Sequence, residues 1–437
     1  MKVFLYLCLF SISVFFTAQA QPADVQELID EEEITSLLTE LSSDAMMGRK
    51  AFTPYIEKAA DVISRQFDEA GLEPLSGERD YFQRFSLFTL HPGKSSLTLN
   101  GKKLSPASYF VSSHQREINW QDLSGITRKR IGKEDDFRSS FTSISTAPDE
   151  QTLVLVASAH KAVFELYANY FSGPVVTMKS NEAPSLLFIL TDEDQVKSGS
   201  FHLSRTAKKQ EAYNVAGQIT GTSKKDEYVI FSAHYDHIGV LEPVDGDSIA
   251  NGADDNASGT TAVIMLAKYF SNRPPPERTL IFVAFTAEEM GGYGSRYFSR
   301  QLNPDDVAAM FNIEMIGKPS RFGPNTAYLT GFDKSTMGKI LQADLRNTPY
   351  RIYPDPYPEQ NLFYRSDNAT LARLGVPAHT ISSVQIDKDT YYHTVGDELE
   401  TLNIKHLANM IRAIALSSES IVSGSATPTR VDPASLN

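Results

Sequence analysis

The pattern of hydrophobic and polar positions divides the chain into stretches of different character. Residues 54–75, PYIEKAADVISRQFDEAGLEPL, place apolar side chains at helical spacing and reach a stop at Gly71, so they predict a helix. From Asn214 onward, strand-like runs such as EYVIFSAHYD and TLIFVAFTAEE alternate with helical runs such as SGTTAVIMLAKYFSN. This alternation predicts an α/β fold, with a mostly parallel central β-sheet flanked by helices.

The stretch 92–210 differs, because it holds short alternating runs and the basic segment TRKRIGK. We predict an inserted, mostly β subdomain there; one continuous domain with long loops is the alternative. The main domain would then comprise residues 21–91 and 211–422. The small, polar residues 423–437 predict a flexible tail.

The first twenty residues have the pattern of a signal peptide. A basic start, Met1-Lys2, precedes an apolar run, and Ala18-Gln19-Ala20 forms a small-x-small cleavage site. The run is too short for a comfortable membrane span, although an uncleaved anchor is the alternative. Cleavage predicts an exported protein, periplasmic or extracellular, with no membrane span. The single cysteine, Cys8, would be lost with the signal, which excludes a cysteine nucleophile and a thiolate metal site.

Charge and polar side chains narrow the chemistry further. A formal net charge of −13 argues against nucleic-acid binding. Carboxylates and imidazoles follow four predicted strand ends and one later loop, where α/β proteins place their sites. Such a concentration of negative charge needs divalent cations. Histidine and carboxylate without thiolate suit zinc, with manganese or cobalt possible, and the set is large enough for two ions that share a bridging carboxylate. The residues concerned are His234, Asp236, His237, Asp254, Asp255, Glu288, Glu289, Glu314, His393 and Asp397.

Six motifs in order resemble a known family. They are HYDH, GADDNASG, FTAEEMGGYGS, NIEMIG, FYRSDN…LARLGVPA and DTYYHT. The chain is similar to the co-catalytic zinc exopeptidases, which include bacterial leucyl aminopeptidases, aminopeptidase Y, glutamate carboxypeptidase and, more remotely, glutaminyl cyclase. The resemblance covers roughly 40–90 and 210–415 and implies the fold of those enzymes. Many members carry a lid or protease-associated domain where this chain has 92–210.

The resemblance also implies a role for individual residues. His234, Asp255, Glu289, Glu314 and His393 would bind metal, with Asp255 as the bridge and Asp254 as the second choice for it. Asp236 would orient its histidine from behind. A cis peptide would follow Asp255. Glu288 would act as general base, and Tyr364 is a candidate donor to the oxyanion, with an ordinary packed tyrosine as the alternative.

Two positions depart from the family. Glu314 replaces the usual aspartate, so its carboxylate must fold back to coordinate; a weakened or empty second site is the alternative. Asn368 stands where relatives often have histidine. The resemblance predicts an exported zinc aminopeptidase that acts on peptides. The alternatives are a glutaminyl-cyclase-like acyltransferase with a single zinc, a carboxypeptidase or dipeptidase, and a non-catalytic binding protein.

Overall fold

The computed structural model describes residues 24–146, 148–178 and 184–436. The predicted signal peptide, residues 1–20, lies outside these ranges. The helices are α1 (Val25–Leu28), α2 (Glu31–Leu41), α3 (Pro54–Glu69), α4 (Phe137–Ser145), α5 (Lys161–Phe171), α6 (Gly259–Ser271), α7 (Tyr293–Ser299), α8 (Met337–Asp344), α9 (Asn368–Ala372) and α10 (Ile404–Val422).

The strands in the first half of the chain include one long pair and several short segments. They are β1 (Glu73–Pro74), β2 (Phe82–Leu99), β3 (Lys102–Lys103), β4 (Tyr109–Ser112), β5 (Glu117–Trp120), β6 (Thr127–Ile131), β7 (Thr152–Val156), β8 (Val175–Thr177), β9 (Leu186–Leu190) and β10 (Gly199–Ile219). The later strands are β11 (Lys224–His234), β12 (Gly239–Val244), β13 (Asp247–Ala250), β14 (Arg278–Phe285), β15 (Val307–Ile313), β16 (Thr326–Leu329), β17 (Arg351–Pro354) and β18 (Ala378–Ser382).

One large sheet organises the molecule. Its strand order is β17-β16-β18-β15-β11-β14-β10-β2-β3, with β1 and β5 paired to β10 and β8 paired to β2. The central strands β14, β11, β15 and β18 are parallel neighbours, whereas β10 is antiparallel to β14 and β16 is antiparallel to β18. The α/β prediction is confirmed, although the sheet is mixed: parallel pairs join the four central strands and also β16 with β17. The sheet is mixed because β2 and β10 form an antiparallel pair along one side.

Helices cover both faces of the central strands. On β11, Val229 and Phe231 face the core beneath α2, α3, α6 and α10, while Ile230 between them faces the core beneath α7 and α9. This alternation follows from the strand period of two. Helix α6 is buried almost all round, as its apolar sequence predicts. The central strands are therefore enclosed on both faces, and their carboxyl ends are held rigidly.

The inserted region is α/β in character. Its sheet has the order β4-β9-β7-β6, and α4 and α5 pack against one face through Phe110, Phe164 and Phe188. The prediction of a mostly β subdomain was thus incomplete, because polar positions on these helices obscure their apolar stripes. Strands β2 and β10 stay paired from Phe82–Val215 to Leu99–Gly199, across the proposed limits at 92 and 210. The antiparallel pair of β2 and β10 therefore connects the inserted region to the main domain. The limits of the inserted region at 92 and 210 stay a prediction.

The polar segment after α10 lies against the main domain. Arg278 donates to the Ala426 carbonyl, and Arg430 donates to the carbonyls of Val307 and Pro304. Val431 is 1% exposed. These contacts argue against a flexible tail over this stretch, because Arg278 binds its backbone and its own Arg430 binds the backbone of the main domain. Within the described ranges, no helix is long and apolar enough to cross a membrane.

Candidate metal centre

Histidines and carboxylates meet at the carboxyl end of the parallel strands. His234 ends β11, Glu288 and Glu289 follow β14, and Glu314 follows β15. A turn before α6 contributes Asp255, and the loop between β18 and α10 contributes His393. Five separate segments thus deliver these side chains to one place, as the strand-end rule predicts.

Two groups of side chains share Asp255. Its Oδ1 atom lies 3.3 Å from His234 Nε2, which is also 3.0 Å from Glu314 Oε1. Its Oδ2 atom lies 3.3 Å from His393 Nε2, which is 3.1 Å from Glu289 Oε2. Because Asp255 gives one oxygen to each group, it occupies the bridging position that the resemblance implies. Asp254 does not compete for this position, since its Oδ1 accepts from the Gly317 N–H at 2.8 Å.

Both groups have the composition of a metal site. Ligand atoms of His234, Asp255 and Glu314 lie within 4.8 Å of one another, and so do those of Asp255, Glu289 and a further histidine, His237, which lies beside the second group. Asp255 Oδ2 is buried and makes no hydrogen bond within the described part of the chain. Nitrogen and oxygen donors without thiolate suit zinc. The residues therefore fit a dication in each group.

The electrostatics of the centre favour positive charge. Burial alone would raise the pKa of Asp255, but the imidazoles of His234 and His393 outweigh it and hold that pKa well below its usual range. The neighbouring carboxylates of Asp255 and Glu289 raise the pKa of His393 to about 10, against the effect of burial. In the metal-free protein, protons on the histidines neutralise part of the negative charge of the carboxylates. A dication would replace these protons, so metal binding should release them.

The backbone before Asp255 is shaped for this presentation. Gly252 has φ +59, and a Cβ there would lie 2.3 Å from the Asp255 carbonyl oxygen and 2.5 Å from His237 Cδ2. Only glycine allows this approach. The Asp255–Asn256 peptide is cis, as the resemblance implies. Asp397 accepts the N–H groups of Asp254 and Asp255 at 2.9 to 3.1 Å and so fixes the turn.

Glu314 reaches the centre despite its extra methylene. Its Oε1 faces His234, and its Oε2 accepts a hydrogen bond from Ser366 Oγ at 2.8 Å. Asn312 in turn donates to Ser366 Oγ at 2.7 Å. The hydroxyl holds the longer side chain in place, which favours coordination by Glu314; its ligand role stays a prediction. The other departure, Asn368, is fully buried and donates to backbone carbonyls away from the centre.

Asp236 supports the centre in a different way from the one expected. Its carboxylate lies 3.9 Å from His234 Nδ1, which instead contacts the Asp236 backbone oxygen at 3.0 Å. The carboxylate accepts the N–H groups of Glu288 at 3.0 Å and Glu289 at 3.4 Å. Asp236 therefore positions both glutamates, and it orients its histidine through the main chain.

Glu288 stands apart from both groups and lines the adjacent cavity. Burial raises its pKa well above the usual value, and the carboxylates of Asp367, Glu314 and Glu289 add to that effect. A neighbouring dication would oppose this rise. The adjacent glutamates thus occupy different places: Glu289 contacts His393, whereas Glu288 faces the cavity.

Tyr364 is not among the residues that line this cavity, which argues against it as a donor to the oxyanion and favours the alternative of a packed tyrosine. It packs edge-on against Phe363, with Lys334 and Arg373 over its ring. Tyr392 lines the cavity instead and stacks on His393, with 3.9 Å between ring centroids. Burial and the nearby carboxylates raise the pKa of Tyr392. Its position next to His393 in DTYYHT was the available signal.

Sequence reasoning also left His237 without a role. His237 Nδ1 lies 2.8 Å from Glu289 Oε1, the oxygen that does not face His393. The side chain is fully buried. His237 is therefore a further candidate ligand beside Glu289, and the second histidine of HYDH was the signal for it.

Arginine and lysine also reach the centre, although none stands within the acidic motifs. Arg49 is 1% exposed and donates to the carbonyls of Tyr235, Asn251 and Gly252. Burial lowers its pKa to about 10, against the attraction of Asp255 and other carboxylates. The residue ties the segment before α3 to the segments that carry His237 and Asp255.

The cavity beside the metal centre has apolar and aromatic side chains in its lining, besides the candidate ligands and polar residues such as Arg365 and Ser366. The apolar and aromatic residues are Met315, Tyr328, Leu362, Val384, Ile386 and Tyr392. A pocket with an apolar wall and convergent polar groups is the usual form of a substrate site.

Fold and site together define the class of α/β proteins with a histidine–carboxylate metal centre at the carboxyl edge of the sheet. Residues 214–417, just under half of the chain, match the model of peptidase family M28. That range contains every candidate ligand. The match confirms the predicted resemblance to the co-catalytic zinc exopeptidases.

Two relatives with similar sequences are named as probable aminopeptidases. A probable aminopeptidase of Saccharomyces cerevisiae is 27% identical over 224 residues, covering 47% of this chain and 56% of the relative. A probable leucine aminopeptidase of Arthroderma otae is 28% identical over 211 residues, covering 46% and 55%. The chain spans about half the length of these relatives.

Solved structures with a similar fold extend over nearly the whole chain. The aminopeptidase from Aneurinibacillus sp. strain AM-1 has a TM-score of 0.53 at 17% identity, covering 90% of this chain and 94% of that one. The zinc aminopeptidase from Bacillus subtilis has a TM-score of 0.54 at 16% identity, covering 93% and 98%. At such identities the likeness establishes the fold alone.

Proposed function

We propose that this protein is a zinc-dependent aminopeptidase that removes N-terminal residues from peptides with two zinc ions per chain. The observation that carries the proposal is the sharing of Asp255 between two groups of histidine and carboxylate ligands. His234 and Glu314 would hold one ion, and Glu289 and His393 the other. The names of the relatives and the match to peptidase family M28 support the same activity.

The bound ions would polarise the scissile carbonyl and acidify a water molecule. Glu288 faces the cavity beside both groups, so its carboxylate would take a proton from that water and return it to the leaving amine. The phenol of Tyr392 lines the same cavity and would donate a hydrogen bond to the oxyanion. The apolar wall around Met315, Leu362 and Ile386 would receive the side chain of the N-terminal residue.

Export of the protein belongs to the same proposal. The sequence Met1 to Ala20 has a basic start, an apolar run and a cleavage motif. N-terminal sequencing of protein recovered from the medium or periplasm should begin at Gln21; an uncleaved N-terminus on protein held in the membrane would contradict cleavage.

Hydrolysis of aminoacyl-nitroanilides tests the activity. Substrates with a free α-amine should be cleaved, their N-acetylated counterparts should not, and chelation should abolish hydrolysis until zinc is restored. Cyclisation of N-terminal glutamine without nitroanilide hydrolysis would identify a glutaminyl-cyclase-like enzyme instead. Cleavage of N-blocked peptides at the C-terminal residue would identify a carboxypeptidase.

A further inference from the structure

Lys318 lies behind the metal centre, four residues after Glu314. Its side chain is 13% exposed, and its Nζ atom is 2.7 Å from Asp389 Oδ2. The same ammonium lies 3.7 Å from Asp254 Oδ2 and 3.7 Å from Asp397 Oδ1. The side chains of these three aspartates are at most 4% exposed. One buried cation thus faces three buried carboxylates.

Each of these carboxylates holds a segment that carries a candidate ligand. Asp389 Oδ1 accepts the N–H groups of Tyr391 at 2.7 Å and Tyr392 at 3.1 Å, directly before His393. Asp397 accepts the N–H groups of the Asp254–Asp255 turn. Lys318 itself continues the segment of Glu314. The loops of His393, Asp255 and Glu314 therefore meet at one ammonium.

Further contacts fix the lysine. Its carbonyl accepts from Ser383 Oγ at 2.6 Å, and its ammonium lies 5.1 Å from the centroid of the Tyr391 ring. Burial lowers the pKa of Lys318, but Asp254, Asp389 and Asp397 outweigh it and raise that pKa above the usual value. The ammonium therefore remains charged at neutral pH.

A nearby cation stabilises this cluster of carboxylates. Like charges in a buried cluster repel one another and lose hydration, and loss of the ammonium would leave these carboxylates without that partner. The zinc ions would neutralise Asp255 and the other ligands, whereas Asp389 and Asp397 contact backbone N–H groups. Lys318 contacts both of these aspartates and opposes their negative charge.

We propose that Lys318 is a positioning residue of the metal centre, which fixes the His393 loop and the Asp255 turn by binding Asp389, Asp254 and Asp397. The inference rests on the proposed zinc centre and adds a residue to it that does not touch metal or substrate. It predicts that the charge at position 318 controls zinc affinity and the order of residues 389–397.

Zinc dissociation constants, measured on the full chain by competition with a chromophoric chelator, test the proposal. Lys318→Met should weaken zinc binding about 10- to 100-fold, the usual range for a residue that supports ligands from behind. Lys318→Arg keeps the charge and should restore most of the affinity. Lys388→Met is the matched control, since Lys388 is exposed on the same loop, and it should leave affinity unchanged.

Asp389→Asn keeps the experiment decisive if Lys318→Met fails to fold. This change removes a buried negative charge instead of stranding one, yet it breaks the shortest contact of the ammonium. It should weaken zinc binding about tenfold and accelerate hydrogen exchange at residues 389–393 in the zinc-bound protein.

The outcomes separate this inference from the proposed function. Zinc affinity and loop exchange in Lys318→Met or Asp389→Asn equal to those of Lys388→Met would overturn the role of Lys318 while leaving the zinc centre intact. Lys318→Arg as weak as Lys318→Met would also overturn it, because charge would then not be the cause. A wild-type chain that binds no zinc would refute the centre and this inference together.

Discussion

Strand β14 carries buried charge at both ends, and the two ends differ in how that charge is matched. At its first residue, Arg278 is 1% exposed and binds Glu227, the carbonyls of Ile421 and Ala426, and the Thr427 hydroxyl. Beyond its last residue, Glu288 and Glu289 join a cluster in which carboxylates outnumber cations. Asp255 Oδ2, Asp254 Oδ2 and both Asp367 oxygens there have no hydrogen-bond partner in the described structure.

This difference between the two ends of β14 distinguishes a buried charge that stabilises the fold from a group of buried charges that binds a ligand. A buried charge whose hydrogen bonds are all made within the chain stabilises that chain and needs no ligand. A buried excess of one sign destabilises the fold until something of opposite charge binds. The matched end of β14 should therefore govern stability, and the unmatched end should govern metal binding and catalysis.

The largest effect is expected for Glu288→Gln. Loss of the general base should lower kcat by about 10²- to 10⁴-fold, while zinc content stays at the wild-type value. The metal-free variant should be at least as stable as the wild type, because a neutral amide avoids the cost of burying a carboxylate at this position. Assays of turnover, zinc content and urea unfolding on one preparation check this; near-normal turnover would refute the base assignment.

Tyr392→Phe tests the residue that replaces Tyr364 in the mechanism. Loss of one donor to the oxyanion should lower kcat about 10²-fold, with KM and zinc content little changed. Tyr364→Phe is the matched control and should stay within twofold, since that ring packs outside the cavity. Equal losses in the two variants would contradict the placement of Tyr392 at the reacting carbonyl.

Arg278→Met should have the opposite effect to the glutamate change. Charge-assisted hydrogen bonds to carbonyls would be lost, so the free energy of unfolding should fall by about 2 kcal/mol, while turnover per folded molecule stays unchanged. Arg273→Met removes a more exposed contact with Glu419 and should cost less than about 1 kcal/mol. Denaturant titration of the two variants measures this difference in the free energy of unfolding. A loss of zinc from Arg278→Met would contradict the assignment of stability to one end of β14 and metal binding to the other.

The sequence was sufficient to predict most of the main fold and the convergence of the candidate ligands on one place. Buried strands and helices such as β11, β14 and α6 are visible because their apolar runs are long and regular. His234, Asp255, Glu289 and His393 could be proposed because strand ends converge and the motifs stand in order. The antiparallel pairing of β2 with β10 could not be read, since alternation does not identify the partner of a strand.

Long-range contacts account for the other differences. Tyr364 and Tyr392 both lie in motifs that resemble the family, so the sequence alone does not distinguish them. The fold determines which of the two rings lines the cavity. Lys318 and Arg49 stand outside the acidic motifs, yet the chain brings both to the centre. The polar segment after α10 looks mobile because its side chains are small, but Arg278 binds its Ala426 carbonyl, and its own Arg430 binds the Val307 carbonyl of the main domain.

The zinc content of the purified wild-type chain tests the central claim most directly. Elemental analysis should find two zinc ions per chain, and the same preparation of Glu314→Ala should retain one, because Asp255, Glu289 and His393 remain. A single tightly held zinc in the wild type, unchanged in Glu314→Ala, would contradict the two-ion centre and favour the glutaminyl-cyclase-like alternative.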